Sequence, residues 1–411
     1  MNQEIITNDI VSQGAAAVAA QAGMDRGRVV RVAGHELTVF AESPPLIQAI
    51  VDDLRTASSR AWVESYIVAA DAAGQAVAEA LKERARAGVD CRLIYDAVGS
   101  AGTPAAFFAD LEQAGVRVHA FHTWWYALRR VAFFRTMNRR NHRKLVVIDD
   151  RIGYFGGMNI VDQSGIETVE QAKARHLPVS AGWRDVHARL VGPQQRELAD
   201  AFERLWRRVH HQRVKRWPRW PIREMTACQH DALFFFDSRP TMRNRRPARV
   251  FAALIGRARQ RITLSMAYFI PVGSVLRALR RARRRGVAVT VIVPGRSDVK
   301  LVQWAARHLY AKLLRRGIRI YERKEQMLHS KAMVIDEHWT VIGSCNLDPR
   351  SLRINLEFLA AIRSAELASA IHDLCHFELC NSRRVTLRDC RNRRWWQRLM
   401  DRGAWAVKRW L

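Results

Sequence analysis

Apolar positions along this chain switch between two spacings, and the switches come in a fixed order that is used twice. Val30 to Glu42 alternates as two short strands turned at Gly34-His35 would, and Ser43 to Ala57 carries its apolar residues at helical spacing. Ala61 to Ile67 then predicts a buried strand, Gly74 to Ala87 a helix closed by Gly88, and Cys91 to Tyr95 a further strand. The order returns with strand Arg261 to Tyr268, helix Val272 to Arg285 closed by Gly286, and strand Val289 to Val293. Strand and helix alternating in this way predict two α/β lobes, each with a mostly parallel or mixed sheet covered by helices.

Each set runs on into the same short motif. His142-Arg143-Lys144 is followed by Asp149 and by Gly156-Gly157-Met158-Asn159; His329-Ser330-Lys331 is followed by Asp336 and by Gly343-Ser344-Cys345-Asn346. All matched positions are 187 residues apart. One H-x-K-x4-D is a weak pattern in a basic chain with 14 histidines, but two in-register copies, each entering an apolar strand and a Gly-x-x-Asn turn, are a strong one.

Side chains alternate faces along a strand, so His142 and Lys144 share a surface, as do His329 and Lys331. Asp149 and Asp336 stand seven positions after their histidines, an odd separation that puts them on the other face beside a turn. They are expected to support the motif rather than to touch substrate. A histidine acting as a nucleophile needs its far ring nitrogen held by an acid, which sets the tautomer and stabilises the imidazolium. Asp185 in Trp183-Arg184-Asp185 and Glu357 in Asn355-Leu356-Glu357 are the candidates, each on a strand-like stretch downstream of its repeat.

Composition narrows the setting. With 411 residues, 48% hydrophobic and 26% charged, the chain is globular and large enough for two lobes. Sixty-eight Lys and Arg against 39 Asp and Glu leave +29, which calls for an anionic partner, nucleic acid or acidic lipid. The six cysteines have neither C-x-x-C pairing nor zinc spacing, which fits a reduced cytosolic setting. Met1 to Asp9 lacks the pattern of a secretory signal, and no stretch reaches the roughly 18 to 20 apolar residues of a spanning helix, so a membrane would be met from one side.

The expected organisation is an N-terminal arm over 1–28, a first lobe over 29–210, a basic Trp/Pro linker over 211–229, a second lobe over 230–385 and a basic amphipathic tail over 386–411. The poor core segment around the linker extends from Leu205 to Arg223 and includes Trp206, Trp217 and Trp220. Trp124, Trp125, Tyr126, Phe133 and Phe134 lie among arginines just before His142, either as a lipid-dipping element at the cleft mouth or as a covering helix. In the tail, Trp395, Trp396, Leu399, Met400, Gly403, Ala406, Val407, Trp410 and Leu411 recur at helical spacing among basic residues, as an interfacial or a docking helix would require.

The paired H-x-K-x4-D motifs with their downstream Gly-Gly/Ser-x-Asn turns resemble the phospholipase D superfamily over roughly Val39 to Cys380. Together with Tyr95-Asp96-Ala97-Val98-Gly99-Ser100 and Trp183-Arg184-Asp185 they look like bacterial cardiolipin synthases, most like the B type. The resemblance implies two phospholipase D-like lobes related by a pseudo-two-fold axis, one active site at their interface, and no metal or other cofactor. It implies phosphatidyl transfer between phosphatidylglycerol molecules through a phosphohistidine, with water as the acceptor in the hydrolase alternative. His142 would be the nucleophile and His329 the acid and base, an order that two near-identical repeats leave open. Lys144, Lys331, Asn159 and Asn346 would hold the phosphate oxygens, and Ser344 would add a hydrogen bond where the first copy has Gly157. The implied partner is an anionic membrane containing phosphatidylglycerol and cardiolipin, met peripherally from the cytoplasmic side. A metal-independent nuclease of the same superfamily is the lesser alternative, and oligomeric state stays open.

Overall fold

The computed structural model describes residues 27–122, 139–162, 182–212, 219–238, 246–324 and 326–408. The aromatic stretch with Trp124 and Phe134, most of the N-terminal arm, Trp217 of the linker, and Trp410 and Leu411 of the tail lie outside these residues.

Among the described residues there are two eight-stranded mixed sheets. In spatial order the first runs Arg28–Val32, His35–Phe40, His187–Val191, Ile152–Gly156, Leu145–Ile148, Arg60–Ser65, Asp90–Asp96 and Arg117–Phe121. The second runs Ala232–Asp237, Phe358–Arg363, Trp339–Gly343, Lys331–Ile335, Arg261–Met266, Ala288–Pro294, Arg319–Arg323 and Ser382–Arg384. From His35–Phe40 and from Ala232–Asp237 onward the two orders coincide strand for strand, so the duplication read from the motifs is one of whole lobes. In both, the motif strand is the antiparallel neighbour of the first central strand, Leu145–Ile148 against Arg60–Ser65 and Lys331–Ile335 against Arg261–Met266.

Alternation along these strands builds the layers. Leu145 and Val147 face a central core shared by both lobes, whereas Val146 and Ile148 face an outer core under helices Ser43–Arg55 and Ala72–Arg86. Ala332 and Val334 face the same central core, and Met333 and Ile335 turn outward beneath helices Arg246–Arg257, Gly273–Arg284 and Lys300–Leu314. Helices Gln195–Val209 and Ala365–Cys380 fill the central layer between the sheets. Burial on both faces is why the motif strands are continuous apolar runs.

The stretch from Leu205 was expected to be linker, and the structure corrects that. Helix Gln195–Val209 continues through it, with Leu205 and Trp206 buried in the central core. Trp206 packs on Phe202 and receives the Arg92 guanidinium over its ring, so its neighbouring arginines mark a half-wet helix face rather than a connector. Trp220 belongs to the second lobe, its indole N–H donating to the Asp237 carbonyl at 3.1 Å.

Candidate active site

Both histidines stand just before their motif strands, on segments that cross from one lobe to the other. The His142 N–H donates to the Leu356 carbonyl at 2.9 Å, and the His329 N–H to the Arg184 carbonyl at 2.7 Å. Met327–Leu328 pairs in parallel with Trp183–Arg184, and Asn141 bridges to Leu356 in the same sense. Each lobe therefore lays its histidine against the other lobe's acid-bearing segment.

The acids are consequently exchanged. Asp185 of the first lobe lies 2.7 Å from His329 Nδ1, and Glu357 of the second lobe lies 3.2 Å from His142 Nδ1. His142 Nδ1 is also 3.0 Å from the Ser344 carbonyl oxygen, which can only accept. That nitrogen thus carries the proton, and Nε2 presents its lone pair. Only 12% of the His142 side chain is exposed, and His329, Lys144, Lys331, Asp185 and Glu357 are buried.

Charges in so enclosed a site act strongly on one another. Burial, with Lys144, Lys331 and His329 adding to it, holds His142 well below the usual histidine range, so it is neutral at physiological pH. Burial and Lys331 bring Lys144 down to about 7. The contacts of His142 with Ser344 and Glu357, and of His329 with Asp185, bring the two motifs together. For Asp185, burial alone would raise the pKa; Lys331 and His329 overcome it and the carboxylate titrates low. Lys331 donates to Asp185 at 3.0 Å. Glu357 is pushed up to about 8 by burial, against the hydrogen bond from Ser344 and the charge of Lys144. One half-site thus keeps an ionised carboxylate on its histidine, and the other a largely neutral acid.

A second difference follows from the side-chain lengths. A Cβ on Gly157 would meet the Asp185 carboxylate, with Cγ at 2.6 Å. At the matching position the longer Glu357 leaves room for Ser344, whose hydroxyl donates to Glu357 and accepts from the Phe358 N–H at 3.1 Å. Glycine in one copy and serine in the other are each fitted to their acid.

Lys144 Nζ donates to the His142 carbonyl at 2.8 Å, and Lys331 Nζ to that of His329. Asn159 is buried and accepts from the Ile67 N–H at 3.3 Å, while the buried Asn346 side-chain oxygen has no hydrogen-bond partner among the described residues. Asp149 and Asp336 sit at the far ends of the motif strands, roughly 15 Å from the lysines by strand rise. Both have positive φ, and each carboxylate accepts three successive backbone N–H groups, Ser58 to Arg60 and Arg259 to Arg261. They close the turn under the first central strand of their lobe.

Two tyrosines that motif reading passed over flank the histidines. Tyr66 meets His142 edge-on at 5.2 Å between ring centroids, and Tyr268 meets His329 edge-on at 6.3 Å. Both follow the first central strand, 202 residues apart, and that repeat is the signal that could have found them. Among the described residues no group of three or more His, Cys, Asp or Glu side chains is arranged to hold a metal ion.

The family model described as cardiolipin synthase, phospholipase D-like domain, matches residues 50–172 and 251–376, one match per lobe. A cardiolipin synthase of Halalkalibacterium halodurans is 31% identical over 366 residues, covering 88% of this chain and 70% of its own. Cardiolipin synthase A of Pseudomonas aeruginosa is 31% identical over 382 residues, covering 92% and 74%. Among solved structures, the phosphatidylserine synthase of Haemophilus influenzae shares the fold with a TM-score of 0.65 at 12% identity, covering 96% of this chain and 100% of that one. Two family matches falling on two lobes of matching strand order, with relatives 31% identical over most of this chain, leave one conclusion: the chain belongs to the cardiolipin synthase family of phospholipase D-like enzymes.

Proposed function

We propose that the chain transfers the phosphatidyl group of one phosphatidylglycerol to the headgroup hydroxyl of a second, releasing glycerol and forming cardiolipin. His142 Nε2 attacks phosphorus while His329 gives its proton to the departing glycerol oxygen, and the phosphorus–oxygen bond breaks as the phosphorus–nitrogen bond forms. His329 then takes the proton of the incoming hydroxyl, whose oxygen displaces His142. Lys144 and Lys331 are the cations available to the charge that builds on the non-bridging oxygens. The observation that carries the order is the inequality of the two half-sites. A Nδ1–H fixed on the Ser344 carbonyl leaves His142 a neutral nucleophile, while Asp185 on His329 Nδ1 favours a proton there against the burial and the Lys331 charge that hold that histidine below its usual range.

The test is a product assay on mixed micelles of labelled phosphatidylglycerol with chelator present. Cardiolipin with glycerol is expected; phosphatidic acid with glycerol would make the chain a hydrolase on the same histidines, and DNA cleavage without lipid turnover would make it a nuclease. Lipid turnover surviving His142→Ala would sink the assignment of the nucleophile.

The partner in this reading is an anionic phospholipid membrane, met peripherally. Helix Trp395–Ala406 supports it. One face, with Asp401, Ala404 and Trp405, docks on helix Lys300–Leu314, where Trp405 stacks on His308 and Arg393 pairs with Asp401. The other leaves Trp395 77% and Leu399 61% exposed, with Trp396, Val407, Arg398 and Arg402 beside them. Docking and interfacial contact therefore use different faces of one helix. Among the described residues no helix is long and apolar enough to cross a membrane. Six free cysteines favour the cytoplasmic side.

A further inference from the structure

The two lobes differ at the cleft mouth as well as at the acids. In the second lobe the chain leaves strand Ala288–Pro294 through Gly295-Arg296-Ser297-Asp298, and the Tyr268 hydroxyl donates to Asp298 Oδ2 at 2.6 Å. Ser297 donates to Oδ1 at 3.2 Å. The same Tyr268 lies edge-on to His329, so Asp298 is held one aromatic ring away from that histidine. Its charge is felt at His329 and Lys331, and at Tyr66 in the other lobe, so it lies close to the site. Asp298 is nevertheless exposed. Tied by two neutral hydroxyls and by no cation in hydrogen-bonding reach among the described residues, it keeps lone pairs free for further donors.

Among the described residues the first lobe has no such group at the matching position. Counting from the matched strand end Asp96, the position of Asp298 is taken by Ser100, which is buried and accepts from the Val68 N–H at 3.0 Å. Asp96 itself is buried on the Asn141 N–H. Among the described residues, then, an open carboxylate stands at this position on the His329 side, where the alcohol leaves and enters, and not at the matching position of the first lobe.

We propose that Asp298, positioned by Tyr268, is a headgroup-recognition residue that accepts hydrogen bonds from a polyol opposite His329, selecting the glycerol headgroup over mono-alcohols and water. A carboxylate in this position can take both hydroxyls of a vicinal diol, whereas a simple alcohol has only the hydroxyl that reacts. It also repels a phosphomonoester, disfavouring phosphatidic acid. The proposal rests on the phosphatidyl-transfer reading above.

The experiment uses the full chain and labelled phosphatidylglycerol in mixed micelles, with glycerol and 1-propanol competing at equal concentration. Glycerol exchange and phosphatidylpropanol are measured together in the wild type, Asp298→Ala and Tyr268→Phe. In the wild type glycerol is expected to win. In Asp298→Ala the glycerol-to-propanol ratio falls about tenfold, the usual loss for one hydrogen bond to a charged group. Tyr268→Phe, which frees the carboxylate without removing it, falls by less. A ratio within about twofold of wild type overturns the proposal and leaves the transferase reading standing. So does an equal fall for both acceptors with a shifted pH profile, because Asp298 would then act only through the charge of His329. A wild type that makes no transfer product overturns both together.

Discussion

Replacing Gly157 with alanine tests the crossed acid and histidine directly. The new methyl would stand 2.6 Å from Asp185 Cγ, whereas carbon atoms rest at about 3.5 Å, so the carboxylate has to retreat by roughly 1 Å. Gly157 cannot retreat instead, because its N–H is bound to the Val186 carbonyl at 2.9 Å and Gly156 is packed on the His187 backbone. A 1 Å shift takes the 2.7 Å contact between Asp185 and His329 beyond hydrogen-bond range. Losing a charge-assisted bond of this kind costs about 1.5 to 3 kcal/mol, a factor of roughly ten to a hundred in kcat. Initial rates on phosphatidylglycerol micelles measure it, with a thermal melt to show that the variant is folded. Gly157→Ser combined with Asp185→Glu copies the other half-site, Ser344 with Glu357, and is expected to recover part of the loss. A Gly157→Ala enzyme folded as stably as the wild type with kcat within about twofold would refute the argument.

Three further outcomes are expected. Lys144 titrates at about 7 and is charged only below that, so its help to the transition state is lost as pH rises through 7; Lys144→Arg should carry the alkaline limb of the pH–rate profile upward. Asp149 is held low because its three backbone N–H bonds and the Ser59 hydroxyl outweigh burial; the stability it contributes is present above the unfolded carboxylate pKa and fades as pH falls below it. As the group is partly exposed, Asp149→Ala should cost about 2 kcal/mol in denaturant titrations at neutral pH and much less in acid. Replacing Trp395, Trp396 and Leu399 with alanine should weaken co-sedimentation with phosphatidylglycerol vesicles by tenfold or more, roughly, and should slow turnover on vesicles more than on monomeric short-chain lipid.

Much of the fold was legible because its signals are local. Helix Ala72–Arg86 announces itself by apolar spacing and by Gly88 at positive φ just after it, and the motif strands by unbroken apolar runs. Trp206 was misread because tryptophans among arginines look like a wet connector unless the partner surface is known; Phe202 and the Arg92 side chain supply that surface from elsewhere in the chain. Tyr66 and Tyr268 went unnoticed because aromatic residues after a strand are ordinarily core.

By itself the sequence determined that there are two copies of one α/β unit, that each presents a histidine and a lysine on one surface, and that Asp149 and Asp336 stand beside a turn, out of register with that surface. Repetition and strand periodicity are properties of the chain read along its length, so they survive without coordinates. The tertiary structure alone decided that the acids are exchanged, Asp185 to His329 and Glu357 to His142, 144 and 215 residues apart. It decided too that one acid stays ionised while the other is driven toward neutrality. Both depend on which surfaces the packed lobes press together, and on how much water that contact removes around charges whose spacing along the chain carries no trace of it.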